Sequence, residues 1–115
     1  MQITISKFGE AATKVVLIGK LDIAGAEKVG LPLAAVAGSK TNIVVDMMAV
    51  DFIASIGIRH LLMAAKTVSR ASCKLILLDP NPMVTGVLVT AGLGDFLPIV
   101  RSEDEALAAF AARAV

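Results

Sequence analysis

The sequence has 115 residues, 57% of them hydrophobic, only four aromatic, and a formal net charge of +1. That length suits a single domain spanning residues 1–115, able to bury roughly 65% of its unfolded surface, and so small a charge gives no long-range pull toward nucleic acid or an anionic membrane. No apolar run approaches the ~20 residues of a membrane span, the first ten residues carry no basic-then-apolar leader, and the lone Cys73 cannot close an internal disulfide, so a cytoplasmic protein is expected.

Gln2 to Phe8 alternates roughly polar and apolar, as an edge strand does. Gly9-Glu10-Ala11-Ala12 turns the chain, and Lys14 to Ile18 reads as a second strand antiparallel to the first. The corner Gly19-Lys20-Leu21-Asp22 leads into a helix over about 24–37. Gly25, Gly30 and Pro32 weaken that helix, and a kink or break is expected between Val29 and Leu33. After a loop over 38–42, Ile43-Val44-Val45 forms a buried central strand, expected to end at Asp46 because a charge rarely continues a core run.

A loop through Asp51 and Phe52, reaching Gly57, then delivers Ser55 to the mouth of a second helix. That helix runs to about Arg70, with Ile58, Leu61, Leu62 and Ala65 as its inward stripe. Leu75 to Leu78 shows no alternation and reads as a strand beside the central one, buried on both faces. Asp79-Pro80-Asn81-Pro82 stops it, with Asn81 capping a third helix and Pro82 in its first position. Gly92 and Gly94 end that helix, and a short strand follows near 97–100. Ser102 caps a last amphipathic helix whose alanine-rich end is expected to fray. Strands alternating with helices predict an α/β fold: a mixed sheet of four to five strands covered by about four helices.

Catalytic chemistry is not expected. His60 is the only histidine and Cys73 has no CxxC partner, so no zinc cluster is encoded. Ser55 and His60, five residues apart across a helix start, point in different directions and do not make a nucleophile–base pair. Gly92-x-Gly94 lacks the second half of a dinucleotide fingerprint and the lysine of a P-loop. Stacking aromatics interleaved with a basic stripe, which nucleic acid would want, are missing. No metal or cofactor is therefore assigned. Arg59, Lys66 and Arg70 share one helix face at spacings of seven and four, which reads as a solvated surface or as a partner-docking face. Ser55 has two readings as well. It caps the helix with its hydroxyl, or it accepts a phosphate that the helix N-terminus would hold.

Four motifs in order carry a resemblance. They are Leu17-Ile18-Gly19-Lys20-Leu21-Asp22; Asp46 and Asp51-Phe52 followed by Ala54-Ser55-Ile56-Gly57-Ile58; Asn81-Pro82-x-Val84-x-x-Val87-Leu88 with Ala91-Gly92-Leu93; and Ser102 to Phe110 with Glu105-Ala106-Leu107. Together they cover essentially the whole chain and resemble the STAS domain, specifically the bacterial anti-sigma factor antagonists. The resemblance implies a regulatory module that binds an anti-sigma factor of serine-protein-kinase type and is controlled by phosphorylation of Ser55. The implied partner surface comprises Asp22, Phe52, Ala54, Ile56, Gly57 and Arg59. Asp22 either lies close to the phosphoacceptor in a direct role or caps the helix that follows it. Ala54 stands where that family usually has an acid, and Ile56 where it often has a second hydroxyl.

Such a module would be a monomer or weak dimer, with no nucleic-acid partner and no membrane insertion. Two other uses of the same chain stay open. One is a scaffold or transport-associated subunit without phosphorylation. The other is a small-molecule or nucleotide-binding module with its ligand at the Ser55 helix terminus.

Overall fold

The computed structural model describes residues 1–111, and its elements follow one another as β1 (Gln2–Phe8), β2 (Ala12–Leu21), α1 (Ile23–Gly38), β3 (Asn42–Ile53), α2 (Ser55–Arg70), β4 (Leu75–Leu78), α3 (Pro82–Thr90), β5 (Ile99–Val100) and α4 (Glu103–Ala111). The strands form one sheet in the order β1-β2-β3-β4-β5. β1 runs antiparallel to β2, and the remaining pairs are parallel. The mixed α/β sheet expected from the sequence is therefore present, with five strands and four helices. The alanine-rich end expected to fray is helical as far as Ala111 in α4, and its last residues, 112–115, lie outside the described residues.

Each face of the sheet has its own apolar layer, because successive side chains of a strand point to opposite faces. On one face α1, α2 and α3 bring Leu33, Leu61 and Leu88 onto Leu17, Val45 and Leu77. On the other, α4 brings Ala106 and Phe110 onto Phe8, Val44 and Leu78. There Phe8 and Phe110 meet edge to face with ring centroids 6.2 Å apart. β3 and β4 lie between both layers, which is why Ile43-Val44-Val45 and Leu75 to Leu78 are apolar without alternation.

Four expectations are corrected. β3 does not end at Asp46 but continues to Ile53, pairing with β2 as far as Leu21↔Ile53. Asp46 can be buried because the Met48 N–H donates to its Oδ1 at 3.0 Å and Lys14 Nζ stands 3.7 Å from its Oδ2; a buried carboxylate is tolerated when paired and hydrogen-bonded. β2 is likewise longer than Lys14–Ile18, so the supposed corner at Gly19 is strand up to Leu21. Register shifts in this stretch bend the pair and leave Met47, Val50 and Ile53 inward, three residues apart rather than two.

α1 is continuous from Ile23 to Gly38 and does not break at Pro32. Val29, Leu33 and Ala37 fall at i, i+4 and i+8 and bury on the sheet, and that packing outweighs the one hydrogen bond proline removes. In α2 the buried line is Gly57, Leu61, Ala64 and Val68. Ile58, Leu62 and Ala65 are half-buried flanks, so the helix is rotated from the expected stripe.

Other local readings match. The Val84 N–H donates to Asn81 Oδ1 at 2.8 Å, with Pro82 opening α3. The Glu105 N–H donates to Ser102 Oγ at 3.2 Å at the start of α4.

Candidate functional site

β2 and β3 run parallel and end together. Leu21 pairs with Ile53, and the Ala54 N–H donates to the Leu21 carbonyl at 2.9 Å. Asp22 and Ala54 therefore stand side by side at the same edge of the sheet, and each is the N-cap of the helix that follows it. Both have extended backbone, with φ −89° and −102°. The two helix N-termini thus open next to each other, each with the partial positive charge of its first N–H groups.

The two caps differ chemically. Asp22 Oδ1 accepts the Gly25 N–H at 2.8 Å, so α1 is capped by a carboxylate. Ala54 has only a methyl group and gives α2 no side-chain cap. The first bond inside α2 runs from the Ile58 N–H to the Ala54 carbonyl at 3.1 Å. The N–H groups of Ser55, Ile56 and Gly57 are therefore left without an intrahelical acceptor. This corrects the reading of Ser55 as the cap: it is the first residue of α2, one position too late for its hydroxyl to close that turn. Its side chain is exposed and makes no hydrogen bond among the described residues.

Two glycines allow the close packing behind this end. A Cβ on Gly57 would lie 2.5 Å from Leu21 Cγ and 3.1 Å from the Leu21 carbonyl oxygen, so any side chain there would force Leu21 or the helix to shift. A Cβ on Gly25 would lie 2.2 Å from the Lys20 carbonyl oxygen. The first turns of both helices sit directly on the end of β2, beneath Ser55.

Asp22, Phe52, Ala54, Ser55, Ile56 and Gly57 are gathered at this end, although not all as foreseen. Phe52 belongs to β3, Ala54 alone links strand to helix, and Gly57 is buried beneath the surface rather than on it. Phe52 is 43% exposed, and Ile56 is half-buried. Arg59 is exposed one helical turn beyond Ser55. Asp46 and Ser55 do not come together, since Asp46 faces Lys14 on the α4 side of the sheet. His60 is partly packed against α1, where a Cβ on Gly30 would lie 3.0 Å from its Cε1.

One exposed apolar side chain at this end escaped the sequence reading: Ile23, which is 71% exposed and directly follows Asp22. Its signal was a large apolar residue straight after an N-cap aspartate, where the apolar stripe of α1 does not reach. Among the described residues, no helix is long and apolar enough to cross a membrane.

Comparison with known proteins fits this geometry. Residues 5–106 match the model of the STAS domain. A protein of Bordetella bronchiseptica named as a candidate anti-sigma factor antagonist, BtrV, is 31% identical over 111 residues, covering 96% of this chain and 95% of its own length. Among solved structures, an anti-sigma factor antagonist from Mycobacterium paratuberculosis superposes with a TM-score of 0.86 at 20% identity, over 96% of this chain and 94% of that one. The anti-sigma factor antagonist SpoIIAA in its unphosphorylated form superposes with a TM-score of 0.79 at 18% identity, over 98% of this chain and all of the other. The chain belongs to the STAS domain family, among its anti-sigma factor antagonists.

Proposed function

We propose that this protein binds an anti-sigma factor of serine-protein-kinase type through the sheet end that carries Asp22, Phe52, Ala54 and Ser55, and that phosphorylation of Ser55 ends that binding. The observation that carries the reading is the position of Ser55. Its hydroxyl is exposed and unengaged, at the first residue of a helix with no side-chain cap, held on a glycine-tight base.

Transfer to this hydroxyl is chemically simple. The serine oxygen takes the γ-phosphoryl group of ATP, its proton passes to a base on the kinase, and ADP leaves. The product carries about −1.5 to −2 charge. The uncapped N–H groups at the start of α2 favour that charge, whereas an apolar partner surface lying over Phe52 and Ile23 does not. In this reading the chain holds no catalytic group and no cofactor, and the nucleotide belongs to the partner. It works as a single domain, monomeric or weakly dimeric, in the cytoplasm.

The test is incubation with the kinase-type anti-sigma factor and ATP, followed by intact mass and site mapping. A phosphate on Ser55, and not on Ser39, Ser69 or Ser72, is the expected result. Ala54 favours a second reading, a scaffold without phosphorylation, because it puts a methyl group where the motif calls for an acid. That reading takes over if no phosphate appears and Ser55→Glu binds the partner as wild type does.

A further inference from the structure

α2 contains no acidic residue, and its three permanent cations, Arg59, Lys66 and Arg70, are all exposed. With 3.6 residues per turn, Ser55, Arg59, Met63, Lys66 and Arg70 fall within roughly 80° of arc, so one line of α2 runs from the phosphoacceptor down through all three cations. Met63, on the same line, is 56% exposed. Among the described residues, ion pairs engage Lys14, Asp46, Glu103, Asp79 and Arg101, and none engages this stripe. α1, packed alongside, adds one acid and one base to the surface, Glu27 and Lys28, which offset each other.

The free chain gains little from this arrangement. Arg70, in the last turn, is favoured by the helix dipole, but Arg59, near the N-terminus, is not. Lys66 and Arg70 stand at i, i+4, where like charges repel. Beside them, a hollow of about 370 Å³ is walled by Leu62, Ala65 and Phe96 and edged by Lys66, Arg70 and Asp95. Phe96 is 61% exposed there.

Resting on the reading above, we propose that the outer stripe of α2 is a docking track for an acidic face of the partner protein, with an apolar side chain of that face seated in the hollow beside Lys66 and Arg70. Charge complementarity selects this occupant. A nucleic-acid backbone would meet only three cations, and its phosphates and sugars offer no apolar side chain to seat in the hollow.

The track also explains how a phosphate at one end acts along the whole surface. Phosphoserine at position 55 stands four residues before Arg59 on the same line, where it forms a charge-assisted pair within the helix. Arg59 is thereby withdrawn from the partner, while the phosphate itself repels the partner's acids.

Titration calorimetry with the kinase-type anti-sigma factor tests the track. Lys66→Glu and Arg70→Glu are each expected to weaken binding about tenfold or more, with a loss that shrinks at high salt. Lys7→Glu, on the outer strand β1, makes the same change in net charge and is expected to leave Kd unchanged. Lys66→Gln and Arg70→Gln, which add no new charge to the helix, are expected to weaken binding in the same direction by less. If Ser55 is phosphorylated but the stripe variants bind like Lys7→Glu, the docking track is wrong and the switch stands. If no such partner binds, the switch fails, and amide NMR titration with poly-L-glutamate and with duplex DNA decides the track. Shifts confined to residues 59–70 with poly-glutamate, and lost in Lys66→Glu, support it. Scattered shifts, or a stronger response to DNA, overturn it.

Discussion

Gly57 lies against Leu21 so closely that a Cβ on Gly57 would stand 2.5 Å from Leu21 Cγ. Leu21 is fully buried at the end of β2, and Gly57 is in the first turn of α2. This contact fixes both the rotation of α2 and the height at which Ser55 is presented. Gly57→Ala is expected to destabilise by about 1–3 kcal/mol through overpacking. Leu21→Ala alone should cost about 2–5 kcal/mol through the cavity it leaves. The double variant should be more stable than the sum of the two, because the new methyl group occupies space the leucine vacated. Urea unfolding of the four proteins measures this coupling, and strict additivity would show that the two residues do not meet.

The rotation of α2 gives a graded series. Leu61 is fully buried, Leu62 is half-buried and Lys66 is exposed. Leu61→Ala is expected to cost about 2–5 kcal/mol and Lys66→Ala less than about 0.5. Leu62→Ala should fall between them. A larger loss at Leu62 than at Leu61 would return the helix to the orientation expected from periodicity alone.

The neighbouring caps make opposite predictions. Asp22→Ala removes the acceptor of the Gly25 N–H and should cost about 1 kcal/mol. Ala54→Asp places a carboxylate on an extended N-cap that now has no side-chain acceptor, and should gain about 0.5–1 kcal/mol. Thermal melts of both variants check the pair. No gain at Ala54 would mean that the first N–H groups of α2 are already satisfied by water at no cost.

What the chain revealed without coordinates was mostly local. Asn81-Pro82 states its own helix start, and Leu75 to Leu78 is too short and too apolar to be anything but a buried strand. The motif around Ser55 was legible as a group because its residues are contiguous. What stayed hidden depends on partners distant in sequence. Asp46 reads as a strand end until Lys14, 32 positions earlier in the chain, is seen beside it. Pro32 reads as a break until the burial of Leu33 is known. The apolar residues of α2 cover so wide an arc that several lines could face inward, and only the contact of Gly57 with Leu21 chooses among them. Ser55 was placed one residue early for a related reason. A hydroxyl before an apolar stripe suggests a cap, but here the paired end of β3 puts Ala54 in that position.

Ser55 allows stability and binding to be separated. Its hydroxyl makes no hydrogen bond among the described residues, so Ser55→Ala is expected to change stability by less than about 0.5 kcal/mol and to bind the kinase-type anti-sigma factor as wild type does. Ser55→Glu puts a negative charge in the first turn of α2, which should raise stability by about 0.3–1 kcal/mol. The same charge lies in the proposed docking surface and is expected to weaken binding, though by less than a phosphate, which carries more charge and more acceptor oxygens. Stability and affinity should therefore move in opposite directions in this one variant, and a damaged fold cannot produce that pattern. Melting temperature and Kd measured on the same preparation decide the matter. If Ser55→Glu loses both, it perturbs the helix start, and its weaker binding says nothing about the switch; if it keeps both, negative charge at Ser55 is not what the partner reads.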